Sequence, residues 1–275
     1  MTNHLQDIAQ GERFEFGANW TRFLTLLDDF RVAQAEQSLS TMLGMESLAG
    51  RSFLDIGSGS GLFSLAARRL GANVHSFDYD PQSVACTTEL KRRFFPDDPH
   101  WIVEQGSVLD KDYLAQLGQW DIVYSWGVLH HTGEMWHALE NIAEISKAGG
   151  LLFLAIYNDQ GGASRRWAWL KKIYNKNRFL RLPLACYTMI RQWGITFARD
   201  LLKGAPLQSW RGYKVTRGMS AWHDVVDWIG GYPFEVAMPE EIFYFFQSHG
   251  FNLMRLKTCA GGIGCNEFVF LKQPT

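Results

Sequence analysis

Hydrophobic periodicity changes along the chain, and each change marks an element. Between residues 51 and 157, short apolar runs alternate with stretches of helical spacing. The run through Leu54 and Ile56, then Val74-His75-Ser76-Phe77, Trp101-Ile102-Val103, Asp121–Ser125 and Leu151–Ile156 read as strands. Helices follow at Leu62–Leu70, from Asp80-Pro81 onward, and over 134–147 with Trp136, Leu139, Ile142 and Ile145 as the inner face. Asp80 is the expected N-cap, with Pro81 in the first turn. Gly149-Gly150 is expected to stop the helix before Leu151. Strands alternating with helices predict an α/β, Rossmann-like doubly wound sheet.

The flanks read differently. Residues 1–50 carry Phe23, Leu26, Leu27, Phe30, Leu39, Met42 and Leu43 at helical spacings, after an aromatic, turn-like opening over Phe14–Trp20. That opening is a packing staple under the first helix or a flap over a ligand. Beyond Tyr157 the alternation stops, and 158–236 form an insertion with a helix-compatible stretch over Phe179–Leu202, broken at Pro183. Pro239–Ser248 is a further helix, and Asn252–Thr258 and Asn266–Lys272 are strands joined by a glycine-rich hairpin turn over 259–265. Four segments result: a helical cap (1–50), a first core part (51–157), a basic, Trp-rich insertion (158–236) and a closing core part (237–275).

The first strand runs into Asp55, then Gly57-Ser58-Gly59-Ser60-Gly61, then a helix. Glycine serves where backbone needs φ > 0 or close approach to a ligand, and the helix start offers free N–H groups. A dinucleotide fingerprint from Gly57 needs glycine at position 62, which is Leu62. A carboxylate precedes the turn instead, which repels a pyrophosphate and suits an ammonium group. Asp78 follows the second strand, 21 residues after Gly57, where a nucleotide fold places the acid for ribose hydroxyls; the competing reading is a plain loop acid. In doubly wound sheets ligands lie beyond the strand carboxyl ends, so Trp126 and the run Val128-Leu129-His130-His131 fall near the reacting atoms.

With these residues the chain resembles the class I S-adenosylmethionine-dependent methyltransferases over about 51–157 and 237–275. The D-x-G-x-G-x-G turn matches their first motif and His131 matches the histidine of their V-L-x-H element. The resemblance implies a seven-stranded sheet ending in an antiparallel hairpin, with S-adenosyl-L-methionine as cofactor and S-adenosyl-L-homocysteine as product. It implies Asp55, Gly57, Ser58, Gly59 and Gly61 at the methionine end, Asp78 at the ribose and Ser107 and Val108 beside the adenine, with Tyr79 and Trp126 as further cofactor contacts. Many members carry an acid where Ser107 stands, which leaves this chain a neutral hydroxyl or backbone contact there.

An imidazole with a pKa of about 6.5 takes a proton from an attacking hydroxyl, so His131, His130 and His223, the last beside Asp224, are the candidate bases. Hydrogen bonding to the loop backbone is the alternative role. Trp20, Tyr157, Arg217 and Tyr232 are candidate acceptor contacts. His223, Asp224 and Asp227 share one helical turn, which points to a His–Asp pair or hydroxyl binding rather than a metal site.

Composition sharpens this picture at one place. The net charge of −1 divides sharply: residues 160–220 hold thirteen Lys/Arg against Asp200 alone, so they carry +12 and the rest −13. Such a segment faces something anionic. A lid with a solvated basic face is the first reading, peripheral contact with an anionic membrane the second, and a nucleic-acid surface the third. No run of about 18 apolar residues occurs, the start lacks a signal-peptide pattern, and the four cysteines form no C-x-x-C pair. A cytoplasmic enzyme is expected, membrane-peripheral in the second of these readings, that methylates a hydroxyl of a small-molecule acceptor, with an anionic or lipid-linked acceptor explaining the basic segment; its layout is similar to quinone-biosynthesis O-methyltransferases. An RNA methyltransferase and a non-catalytic cofactor binder are the competing readings.

Overall fold

The computed structural model describes residues 4–25, 27–217 and 221–274. Its sheet has seven strands: β1 (Ser52–Ile56), β2 (Asn73–Asp78), β3 (Trp101–Gln105), β4 (Trp120–Trp126), β5 (Ser146–Tyr157), β6 (Phe251–Lys257) and β7 (Cys265–Lys272). The order is β3-β2-β1-β4-β5-β7-β6. The first five strands are parallel and β7 runs antiparallel between β5 and β6. Strand order reverses at β1, which lies between β2 and β4, so the crevice at their carboxyl ends is the expected ligand site.

Three helices precede the sheet: α1 (His4–Ala9), α2 (Gly17–Leu24) and α3 (Asp29–Leu43). Within the alternating region come α4 (Leu62–Arg69), α5 (Pro81–Phe94), α6 (Lys111–Leu117) and α7 (Met135–Ile145). The insertion contains α8 (Gly162–Lys176), α9 (Arg181–Leu202), α10 (Gln208–Arg217) and α11 (Ala221–Gly230), and α12 (Pro239–Ser248) precedes β6. Side chains alternate across the strands. Phe53, Val74, Tyr124, Phe153 and Val269 pack with α3, α4 and α5 on one face. Leu54, Ile56, Val123, Leu152, Leu154, Phe268 and Phe270 pack with α6, α7 and α12 on the other. The insertion has apolar clusters of its own, around Trp167, Leu170, Tyr174 and Ile229, and around Trp193 and Val225.

Four local expectations are corrected. Gly17–Trp20 belong to α2 rather than to a turn. Pro183 does not break the helix, because it falls in the first turn of α9, where a missing N–H costs nothing. Trp136 is not an inner-face residue: the buried stripe of α7 runs through Met135, Ala138, Leu139 and Ile142, and Trp136 lies against Phe245; Phe30 is likewise exposed. Gly149-Gly150 lie inside β5, whose pairing with β4 shifts register between Trp120 and Ile122. A Cβ at Gly150 would lie 2.8 Å from the Lys147 carbonyl oxygen, so glycine permits this irregularity rather than ending an element.

Asn141 on buried α7 donates to the Val108 carbonyl oxygen at 2.8 Å and so fixes the loop after β3. Asn141→Ala leaves that carbonyl unpaired, a cost of about 1–3 kcal/mol. Thermal unfolding should show a Tm several degrees lower; an unchanged Tm would show that the loop does not depend on this tether.

Candidate active site

The carboxyl ends of β1, β2 and β4 open into a cavity of about 1730 Å³. A single small-molecule site occupies roughly 300–1,000 Å³, so there is room for two ligands side by side. Asp55, Gly57, Ser58, Gly59, Asp78 and Tyr79 line it from the first two strands and their loops, with Ser107, Val108 and Trp126 from the loops after β3 and β4. His131, Trp20, Tyr157, Tyr232 and Asp224 line the same space. Gly61 and His130 are not among the lining residues. The side chains of Arg217 and His223 lie outside the described residues.

The glycine turn is closed on itself. The N–H groups of Gly57 and Ser58 donate to the Phe77 carbonyl oxygen at 2.9 and 3.1 Å. Gly59 N–H donates to Asp78 Oδ2 at 2.9 Å and Gly61 N–H to the Ser58 carbonyl oxygen at 2.8 Å. A phosphate cradle needs such groups pointing at the ligand; here those of Gly57, Ser58, Gly59 and Gly61 are already used. Gly61, at φ 79°, starts α4 and approaches Thr87 instead of the cavity. A Cβ on Gly59 would lie 3.0 Å from the Trp20 indole, which α2 lays over the turn.

Acceptors dominate this half. Asp55 is 2% exposed, and its Oδ2 accepts a hydrogen bond from Ser64 Oγ. Ser64 Oγ pairs with Ser76 Oγ at 2.7 Å, and Trp101 Nε1 donates to Ser76 Oγ at 2.9 Å. An indole N–H only donates and a carboxylate only accepts, so the protons run in one direction, from Trp101 through both serines to Asp55. Burial pushes the Asp55 carboxyl up to about 7, against the Ser64 bond, with Asp78 adding to the rise. Burial likewise raises Asp78 to about 6, although the N–H groups of Asp80 and Gly59 oppose it. Tyr124, paired in register with Asp55, lines the cavity while its buried hydroxyl has no partner among the described residues. Asp80 caps α5 through Gln82 N–H and also accepts Gly17 N–H, each at 2.8 or 2.9 Å, which ties α2 to the core.

Around His131 the segments from both ends of the chain meet. Its Nδ1 lies 2.6 Å from the Pro233 carbonyl oxygen, which can only accept. The proton therefore sits on Nδ1 and Nε2 keeps its lone pair. Arg13 Nη1 donates to the His131 carbonyl oxygen at 2.9 Å, and the Phe16 ring lies 5.1 Å from the imidazole. Burial drives the His131 pKa down to about 3, with the charges of Lys171 and Arg13 adding to the fall against the Pro233 bond. His130 is turned away: it is fully buried, packs on the Tyr157 ring, and its Nδ1 accepts Tyr157 N–H at 3.3 Å. Burial holds it well below the ordinary imidazole range. From the insertion, Asp224, Asp227 and Gln192 reach the cavity, with Asp224 Oδ2 accepting from Tyr213 Oη at 2.7 Å.

Sequence reading misses Arg13, Tyr124 and Gln192. Arg13 has no motif around it. Gln192 is one polar residue in a long helical stretch. Tyr124 had a usable cue: a hydroxyl in an otherwise apolar central strand needs a partner.

This strand order, with carboxylates ending β1 and β2 and a non-phosphate glycine turn between, defines a class I methyltransferase fold. A model of the methyltransferase domain matches residues 28–193, more than half of the chain, and the chain belongs to that family, whose members take S-adenosyl-L-methionine as cofactor. A ubiquinone biosynthesis O-methyltransferase of Cereibacter sphaeroides is 26% identical over 172 residues, 59% of this chain and 66% of that protein. A ribosomal protein L11 methyltransferase of Methylococcus capsulatus is 41% identical over 71 residues, 26% of this chain and 24% of that protein. The chain thus spans no more than about two thirds of the length of these curated relatives. Among solved structures, magnesium protoporphyrin IX methyltransferase of Synechocystis PCC 6803 with bound SAH superposes with a TM-score of 0.55 at 14% identity, covering 93% of this chain and 95% of that one. The [4+2]-cyclase SpnF superposes with a TM-score of 0.54 at 11% identity, covering 88% and 81%.

The lining residues fit the cofactor. Asp55 is buried with no cation beside it, Asp78 ends β2 half-buried at the cavity wall, and the Tyr124 hydroxyl has no partner among the described residues, so this end can accept from an ammonium group and ribose hydroxyls. Asp55 must be ionised to hold an ammonium group, and its raised pKa makes protonation compete near neutrality. Cofactor Kd, followed by calorimetry, should rise about 20-fold from pH 7.5 to 5.5. Ser64→Ala removes a bond that favours the charged form and should move the inflection to higher pH; a flat wild-type profile would exclude Asp55 as the ammonium partner. Tyr124→Phe should weaken binding about tenfold at constant fold, the worth of one buried hydrogen bond. Unchanged affinity would leave the Tyr124 hydroxyl without a role in the site.

Proposed function

We propose that the protein transfers a methyl group from S-adenosyl-L-methionine to a hydroxyl group of a small-molecule acceptor, with His131 as the base. One observation carries this reading: His131 is locked by Pro233 in the tautomer that leaves Nε2 unprotonated, in the same cavity as Asp55 and Asp78. In this reading Asp55 and Tyr124 hold the methionine end, Asp78 the ribose, and Ser107 and Val108 flank the adenine. The bound cofactor supplies an electrophilic methyl group on a sulfonium.

The acceptor hydroxyl donates to Nε2 of His131, which aims its lone pair for in-line attack. An imidazole with a pKa of about 3 is a weak base for a free alcohol. It suffices here, because the oxygen becomes strongly acidic as it gains the methyl group, and the proton passes late. Tyr157, packed on His131 and Trp228, walls the acceptor. Asp224 and Asp227 accept from further hydroxyls. Two carboxylates at this end favour a neutral, hydroxyl-bearing acceptor over an anionic one, and they disfavour a phosphate backbone, which places RNA second. A protein described as a [4+2]-cyclase shares this fold, so the fold by itself does not establish methyl transfer and turnover has to be measured.

Labelled methyl from the cofactor, incubated with whole-cell extract and the enzyme, should appear in small-solute or lipid fractions. Label in nuclease-sensitive polymer would overturn the acceptor class, and no label at all would favour the non-catalytic reading. His131→Ala should lower turnover about 100-fold or more while cofactor Kd stays within about twofold. Full activity in that variant would remove His131 as the base.

A further inference from the structure

Helix α9, 22 residues long, divides into two faces. One packs inward through Ala185, Thr188 and Trp193. The other side turns aliphatic side chains to solvent over a broad arc: Ile190 is 69% exposed, Ile195 68%, Leu201 69% and Leu202 88%. Phe179, 81% exposed, and Leu182, 64%, extend the same kind of surface at its start. Leaving this much apolar surface in water is unfavourable unless something covers it.

The flanking charge says what covers it. Arg178, Arg181, Arg191, Arg199 and Lys203 are all exposed along this helix and its approach. The one acid, Asp200, is buried and consumed: its two oxygens accept Ser209 N–H and Ser209 Oγ–H, each at 2.8 Å. The outward side of α9 is therefore cationic and aliphatic, with no carboxylate. A second copy docking through the same face would bring five cations against five, and one docking through its acidic core would meet the cations but leave the aliphatic residues facing charged surface. A nucleic acid would match the cations but leave the aliphatic residues, which cannot stack on bases, unpaired. An anionic bilayer satisfies both: headgroups meet the arginines while the aliphatic tips enter the acyl boundary. No helix among the described residues is long and apolar enough to cross a membrane.

We propose that the outward face of α9, with Phe179 and Leu182, docks the protein peripherally on an anionic lipid surface. Gln192 on the same helix lines the catalytic cavity, so docking holds the acceptor end beside the headgroups. The proposal stands apart from the identity of the acceptor.

The test is co-sedimentation of the full chain with vesicles of phosphatidylcholine alone and with phosphatidylglycerol added. Binding is expected only to the mixed vesicles and is released by salt. The triple variant Ile190→Asn, Ile195→Asn, Leu202→Asn should bind at least tenfold more weakly, as should the double variant Arg191→Glu, Arg199→Glu. Unchanged cofactor Kd in these variants shows that the fold and the cofactor site are intact. Wild-type protein that stays in the supernatant with mixed vesicles overturns the proposal, as does a triple variant that binds like wild type. Self-association or RNA binding lost in the triple variant, without vesicle uptake, assigns the face to a second copy or to RNA and overturns it equally.

Discussion

A buried carboxylate with no cation beside it is the constraint on which the site is built. Asp55 sits at the end of a central strand, where burial alone would keep it protonated near neutrality. The protein does not neutralise it with a lysine or arginine; it offers one ordered chain of hydroxyls ending in the Trp101 indole. That chain partly stabilises the charged form and leaves the rest to a ligand. The glycine turn obeys the same logic, because the N–H groups of its three glycines and Ser58 are spent on Phe77, Asp78 and Ser58. The cavity therefore presents unsatisfied acceptors and few free donors, and this selects a cationic, hydroxyl-bearing ligand over a phosphate.

The second half of the site is built by convergence. His131 belongs to the core, yet its tautomer is set by Pro233 at the end of the insertion and its backbone is held by Arg13 near the start of the chain. Those two segments also bind one another, through Phe14 N–H to the Tyr232 carbonyl oxygen at 2.9 Å and through Phe14 packed over Gly230. Glu235 accepts the first N–H of α7, with its two oxygens 3.1 and 3.0 Å away, and its own N–H donates to the His130 carbonyl oxygen. Insertion, N-terminal segment and histidine loop are thus joined by hydrogen bonds into one unit around the imidazole.

This difference explains what could be read without coordinates. Parallel strands buried on both faces write long apolar runs, and Gly57, Gly59 and Gly61 mark a turn where φ must be positive, 75°, 55° and 79°; β1, β4, β5 and the turn into α4 are legible for those reasons. Pairing of Pro233 with His131 spans 102 positions, and no local pattern announces a contact of that range. Pro183 and Gly149-Gly150 misled because their local preference is to break elements, whereas a first helical turn and a strand irregularity each accept them. Trp136 misled by one position on its helix, where Met135 starts the buried stripe.

Charge distribution joins the two halves. The segment of +12 presents its cations outward, with Arg191 and Arg199 exposed, while its neighbours Asp224 and Asp227 turn into the cavity. Lys171 is the exception that shows the cost of the arrangement. It is fully buried against the rings of Trp228 and Phe234, donates to the Trp228 carbonyl oxygen, and burial lowers its pKa to about 7. A basic segment folded over an acidic site must hide or export every cation. Among the described side chains only Lys171 is hidden, in an aromatic box whose π faces partly replace water, and its charge helps to keep His131 neutral. Among the described residues the insertion's excess of arginine is thus a property of its outer surface, while its inner one turns Asp224 and Asp227 to the cavity.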